Sequence, residues 1–264
     1  MITNQLKSNE ECTKCTVYLD YNIFINYRDK RDVRELLNNK KTQYVFYYGP
    51  PYLEEVANIP TENIEHIQSH KNDIDTLFEY RTFRPTNTNN LVKVQESAES
   101  VSKRVTESLD LSKKAEEFEK FQFSKFKSQR EELNLNSKEM SNIPFDEIFN
   151  HADVFLFVEE LAINNPVFLQ SLRKTINSVT KNNFTELQHS IAVLFNVLEI
   201  VGFRPEAAKK ARSRMHDVSH AVYASQCDFF IVEDNKFREK CKAVYHFLKI
   251  NTKVLSYNEF IENF

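Results

Sequence analysis

Apolar runs of strand length lie near both ends of the chain, and helical periodicity fills the middle. Thr16–Leu19, Gln43–Tyr48, Phe229–Val232 and Thr252–Leu255 are short and almost wholly apolar. Such runs mark strands buried on both faces, as in a parallel sheet. Asp29 to Asn38 reads as an amphipathic helix with Val33, Leu36 and Leu37 inward. Gly49-Pro50-Pro51 breaks the second strand and opens a helix with Pro in its first turn, and Leu53, Val56 and Ala57 share one face of that helix. Glu62 to Phe83 is predicted as a longer helix, broken by RPTNTNN at 84–90. Val101 to Asn134 is highly charged around Phe118, Phe121, Phe123 and Phe126. Asn142–Asn164, Pro166–Val179 and the strongly apolar Asn183–Val201 complete a middle without strand signals. Gly202 ends it, Pro205 opens the next helix, and Asn258–Phe264 is a short last one.

The stretch Met215–Phe237, MHDVSHAVYASQCDFFIVEDNKF, organises the chain. It reads as a helix, a corner and a buried strand, with Asp217 opening the helix and Asp234 closing the strand. The helix runs antiparallel to the strand, so both carboxylates return to the carboxyl edge of a sheet, where open α/β sheets build their sites. Asp20 ends the first strand and Asn22 follows it by two. One of Glu54 and Glu55 can reach the same edge, and helical geometry leaves open which. Asp228 and His220 read as structural, and Glu233 alternates to the other strand face.

Composition removes several alternatives. The chain is 41% hydrophobic and 28% charged, ordinary for a globular protein. A net charge of −3 provides no global attraction to nucleic acid or to an anionic membrane, so such binding must come from local patches. Two patches flank the central stretch: Lys209, Lys210, Arg212 and Arg214 before it, Lys236, Arg238, Lys240 and Lys242 after it. They are solvated helix faces or phosphate-holding groups. Two glycines are too few for a Walker loop or a Rossmann fingerprint. Cys12 and Cys15 have zinc-knuckle spacing but no second close pair, so ordinary thiols are expected. No signal-peptide core or membrane-spanning run is read, and a cytoplasmic protein with reduced thiols is expected.

Asp20, Glu55 or Glu54, Asp217 and Asp234 thus gather at one sheet edge. Carboxylates gathered this closely repel one another. Mg²⁺ or Mn²⁺, hard cations that take oxygen ligands, relieve the repulsion. A divalent cation held by acids, with basic residues nearby, is equipment for phosphodiester hydrolysis.

At this point the residues resemble the PIN-domain nucleases. LDYNIFI at 19–25 is similar to that family's opening strand with its acid and following Asn, which casts Asn22 as a substrate contact. PPYLEEV at 50–56 is similar to its second motif, whose Glu precedes an aliphatic residue, and this favours Glu55. HDVSHAVYASQCDFFIVEDNKF at 216–237 resembles the third and fourth motifs run together, and YNEFIENF the final helix. The resemblance implies a PIN-like α/β/α sandwich with a central parallel sheet, formed by residues 1–84 and 203–264, around an all-helical insertion at 85–202. It implies a Mg²⁺- or Mn²⁺-dependent nuclease, most often an endoribonuclease, with Asp20, Glu55, Asp217 and Asp234 as catalytic metal ligands. Many small members are toxins or defence effectors held by a partner. Here the insertion departs from the pattern; it is a candidate surface for a protein inhibitor or activator, or for self-association. The other readings are a PIN-like binding module without catalysis and a haloacid-dehalogenase-type phosphatase. The latter needs a second Asp where Asn22 stands.

Overall fold

A computed structural model describes residues 14–106, 125–164, 183–206 and 211–263, without the side chains of 162 and 211–215. The fold is α/β. Its centre is a four-stranded, wholly parallel sheet in the order β2-β1-β5-β6. β1 (Cys15–Leu19) lies between β2 (Tyr44–Tyr47) and β5 (Phe229–Ile231), and β6 (Lys253–Leu255) closes the far edge. Val17, Tyr18, Leu19 and all of β5 are buried, which explains the uninterrupted apolar runs. Thr16 pairs with Val45, and Leu19 lies opposite Ile231. The chain moves from β1 outward to β2 on one side and from β5 outward to β6 on the other. The gap between the carboxyl ends of β1 and β5 is therefore the topological switch point, where sheets of this kind hold ligands.

Parallel pairing requires a crossover, and helices supply it. α1 (Tyr21–Asp29) starts one residue after β1, with Asp20 extended at its N-cap, and α2 (Arg31–Lys40) follows. The apolar stretch IFI at 23–25 thus belongs to a helix that the strand-like sequence concealed. α3 (Pro50–Val56) begins at two prolines. Gly49 before it is needed for space, because a Cβ there would stand 3.0 Å from both the Tyr18 hydroxyl and the Tyr223 ring. α4 (Ile64–Phe78) is shorter than its predicted span, and Phe83 falls in the next strand.

The predicted all-helical middle requires correction. β3 (Arg81–Pro85) and β4 (Leu91–Gln95) form an antiparallel hairpin across the predicted boundary at residues 84 and 85. A bridge from Tyr48 to Thr82 sets the hairpin beside the end of β2. Helical residues 98–106 and 125–132 follow it. Asn142–Asn164 is not one helix: a 3₁₀ turn at Ile148–Asn150 precedes α5 (Ala152–Asn164). The predicted helix at 166–179 and Phe118, Phe121 and Phe123 lie outside the described residues.

α6 (Phe184–Val201) opens on Asn183, whose side chain accepts from the Glu186 N–H, and ends on Gly202 at φ +85. A side chain there would be strained in φ and would stand 2.7 Å from the Ser137 Cβ. By length and composition α6 could cross a membrane, yet 56% of it is buried inside the protein. Ile191, Leu194, Phe195 and Leu198 join the same continuous core as Phe230, Phe237 and Val244. The last helices are α7 (Ala211–Ala224), α8 (Asn235–Phe247) and α9 (Tyr257–Asn263).

Candidate functional site

Asp20 is the residue after β1. Its N–H continues the sheet ladder to the Ile231 carbonyl at 2.8 Å, which fixes the carboxylate at the switch point. The side chain is 2% exposed. Asn22 donates to its Oδ2 at 3.2 Å, so this asparagine holds the site acid. Burial raises the Asp20 pKa to about 7, against the lowering effect of the hydrogen bonds from Asn22 and the Tyr21 backbone; the charges of Asp234 and Glu55 push it up further.

Asp217 arrives on α7. The helix already includes Ala211, so Asp217 lies on its second turn and does not open it, as had been expected. Seven helical steps from Ala224 back to Asp217 cover roughly 10 Å, and β5 with Val232 returns a similar distance. Asp217 therefore regains the level of Asp20. Burial drives its pKa well above the usual carboxylate range, and the charges of Asp20, Glu206 and Asp234 act in the same direction against the opposing pull of Lys240. Asp234 stands three residues past β5 at the N-cap of α8, where its Oδ1 accepts from the Phe237 N–H at 3.0 Å. It is a cap and a member of the acid edge at once.

Adjacent residues on a helix point about 100° apart, and α3 uses that angle to separate its two glutamates. The Glu54 Oε2 lies 3.3 Å from the Nδ1 of His216 on α7. Glu55 lies on the other side, where its charge bears on Asp20 and Tyr21. Glu54 thus makes a contact between α3 and α7, while Glu55 is the glutamate of the pair whose charge bears on Asp20. His216 was not singled out in the sequence. Its place beside Asp217 and one turn before His220 was the available signal.

His220 is packed, as expected. It meets the Tyr18 hydroxyl at 2.9 Å and lies edge-on to Tyr52, and burial depresses its pKa to about 3. Asp228 is structural too: its Oδ2 accepts from the Thr16 N–H and hydroxyl at 2.7 and 2.8 Å, stitching β5 to β1.

The second basic patch does not face outward as a phosphate clamp. Lys240 is buried, with Nζ 2.6 Å from Glu199 Oε1 and 3.4 Å from Glu206 Oε1. Arg238 donates to the Val232 carbonyl and to Asn235, and Lys242 pairs with Glu239. Lys236 is exposed, and its Nζ donates to the Pro205 carbonyl at 2.8 Å. Lys209 and Lys210 and the side chains of Arg212 and Arg214 lie outside the described residues. Sequence reasoning missed the burial of Lys240. The signal was present, because Phe237, Lys240, Cys241 and Val244 occupy one helical stripe that is otherwise apolar.

Among the described residues, no basic side chain is ion-paired to Asp20, Glu55 or Asp217. An all-oxygen set of repelling, desolvated acids is chemically suited to Mg²⁺ or Mn²⁺. Among the described residues, no three His, Cys, Asp or Glu side chains converge closely enough to hold one ion as they stand. The fit is therefore one of donor chemistry and charge. Of the cysteines among the described residues, Cys15 is exposed and Cys227 and Cys241 are buried.

The fold and site define an α/β protein with a parallel sheet and a carboxylate edge at its switch point. Comparison with protein-family models, with curated proteins and with solved structures found no match.

Proposed function

We propose that the protein is a metal-dependent phosphodiesterase acting on nucleic acid, and more narrowly a PIN-like nuclease that cleaves RNA. The observation that carries this reading is the gathering of Asp20, Glu55, Asp217 and Asp234 around the carboxyl ends of two adjacent parallel strands. Their charges bear on one another, and Asp20 and Asp217 are held above the normal carboxylate range.

Asp20, Asp217 and Asp234, with Glu55, would hold the Mg²⁺ or Mn²⁺. A bound divalent ion supplies a water of lowered pKa and stabilises charge on phosphate oxygens. The chain's own contributions are positional. The β1–β5 ladder sets Asp20, Asn22 orients its carboxylate, and the Phe237 N–H fixes one oxygen of Asp234. The Glu54–His216 contact keeps α3 against α7, and with it Glu55 near Asp20. The first basic patch, Lys209 to Arg214, and exposed Lys236 are the groups proposed to meet the substrate backbone. The proposed setting is cytoplasmic, with the insertion as the surface for a regulatory partner or for self-association.

The test is purified protein with Mn²⁺ or Mg²⁺ on labelled single-stranded RNA, single-stranded DNA and duplexes. Cleavage of single-stranded RNA is expected. It should stop in EDTA, and Asp217→Asn should lose more than the roughly 10–100-fold that removal of an outer-shell partner costs. Full activity in EDTA rules out the metal mechanism. Binding without turnover in any metal makes the protein a binding module.

A further inference from the structure

β6 is an outer edge of the parallel sheet: among the described residues only β5 pairs with it. Along such a strand, alternate residues turn their backbone groups toward the neighbour and the residues between turn theirs away. The Lys253 N–H donates to the Asp228 carbonyl, and the Leu255 carbonyl accepts from the Val232 N–H, both at 2.8 Å. Lys253 and Leu255 therefore face β5, and the Val254 N–H and carbonyl point to the open side. Among the described residues no hydrogen bond reaches either of them. Buried backbone groups of this kind need water or another chain as partner.

The open side is a groove. Val254 lines a cavity of about 370 Å³ with Phe145, Ile250 and Leu255, a volume within the roughly 300–1,000 Å³ of ligand clefts. Phe145, Ile250 and Leu255 are half-buried and give the groove an apolar wall. Its rim is cationic. Exposed Lys253 and His246 line it, as does Lys242, whose Nζ pairs with Glu239 at 3.1 Å and lies 5.7 Å from the Phe145 ring centroid. Glu259 is the acid among the lining residues, and it is engaged elsewhere. Its Oε2 accepts from the Ser256 N–H at 2.6 Å while its own N–H donates to the Ser256 hydroxyl, a capping box that opens α9.

We infer that the β6 edge is a docking groove for an extended peptide of a protein partner, one that alternates acidic and apolar residues and adds a fifth strand to the sheet. An antiparallel strand satisfies Val254 completely, because the residue opposite it exchanges both backbone hydrogen bonds. An apolar side chain of that strand packs against Phe145 and Ile250, and its carboxylates meet Lys242 and Lys253. A second copy of this chain fits less well: a two-fold pairing of β6 with itself sets the same cations against one another. The groove is independent of the reaction at the acid edge.

The experiment titrates the full, isotope-labelled chain with a capped heptapeptide of alternating glutamate and valine. Two control peptides carry lysine in place of glutamate, or N-methyl groups along the backbone. The first peptide should shift the Val254 amide resonance and slow its hydrogen exchange. Both controls should bind at least about tenfold more weakly, the scale of one or two lost hydrogen bonds. Val254→Pro removes the outward N–H and keeps the bonds to β5, a change that edge strands tolerate, and it should weaken binding by about tenfold. Lys242→Glu/Lys253→Glu, at surface positions that fold independently of that substitution, should turn the preference toward the lysine peptide. Equal binding of the three peptides, or none by the wild type, would overturn the proposal. So would slow exchange of the Val254 amide in the peptide-free monomer, which would mean that the chain covers its own edge. A dimer in sedimentation that Val254→Pro abolishes would assign the groove to a second copy and overturn it as well.

Discussion

Two groups of buried carboxylates stand side by side in this protein and are treated differently. Glu199 and Glu206 share the ammonium of Lys240, with oxygen–nitrogen distances of 2.6 and 3.4 Å. Asp20 and Asp217 have no ion pair among the described residues, and burial raises both. A folded chain can tolerate a buried acid by supplying a cation or by letting the acid keep its proton. The first solution is structural and complete. The second leaves an unbalanced edge at the switch point of the sheet, open to an external cation.

The largest expected effect breaks the balanced group. Glu199→Ala leaves the buried ammonium with Glu206 alone and opens a void at the end of α6. Chemical denaturation should show a loss of about 3–5 kcal/mol, the range for breaking a buried pair. A loss below about 1 kcal/mol, the scale of surface pairs, would mean that the node is solvated and that the contrast between the two groups is false.

The unbalanced group should respond to pH in the opposite sense from a salt-bridged acid. Folded Asp20 keeps its proton up to about pH 7, whereas the ordinary value is 3.8. Between those values the folded state binds more protons than the unfolded state, so the stability of the metal-free protein should fall as pH rises. Asp217 is raised as well and adds to the same trend. Thermal melts in EDTA across this window should show Tm declining, and Asp20→Asn should flatten the decline. A Tm that climbs with pH through the window contradicts the assignment.

Much of this contrast was legible in the sequence, and the missing part has a physical cause. β1, β2, β5 and β6 were visible because strands buried on both faces are uninterrupted apolar runs, and an acid just past such a run has few places to go. Asp20 and Asp234 were legible for that reason. β3 and β4 were not, because RTFRP and LVKVQ carry charges and a proline and draw their strand character from pairing with each other. α1 was hidden because IFI at 23–25 is a second short apolar run soon after Asp20 and resembles strand more than helix. The choice between Glu54 and Glu55 required the neighbouring helix, since only the position of His216 on α7 separates them. Lys240 was read as one of a basic run, and its partner Glu199 lies 41 residues earlier in the chain. Local charge pattern cannot report a pairing across that separation.

The smallest expected effect concerns the cations that are not buried. Each phosphate contact on a single strand contributes about 0.7 to the slope of log affinity against log salt. Lys236→Ala should therefore change the slope for RNA by no more than about 0.7. Replacing Lys209, Lys210, Arg212 and Arg214 together should lower the slope by up to roughly 3. Unchanged slopes would make these residues a solvated face and leave substrate positioning to groups nearer the acids.

The central claim, that the unbalanced carboxylate edge is a divalent-cation site, is tested most directly by calorimetric titration of the full chain with Mn²⁺ beside Asp20→Asn and Asp217→Asn. The account predicts saturable binding by the wild type, weakened at least about tenfold in each variant, while the variants remain folded. Equal binding by all three proteins, or none by the wild type, would contradict it.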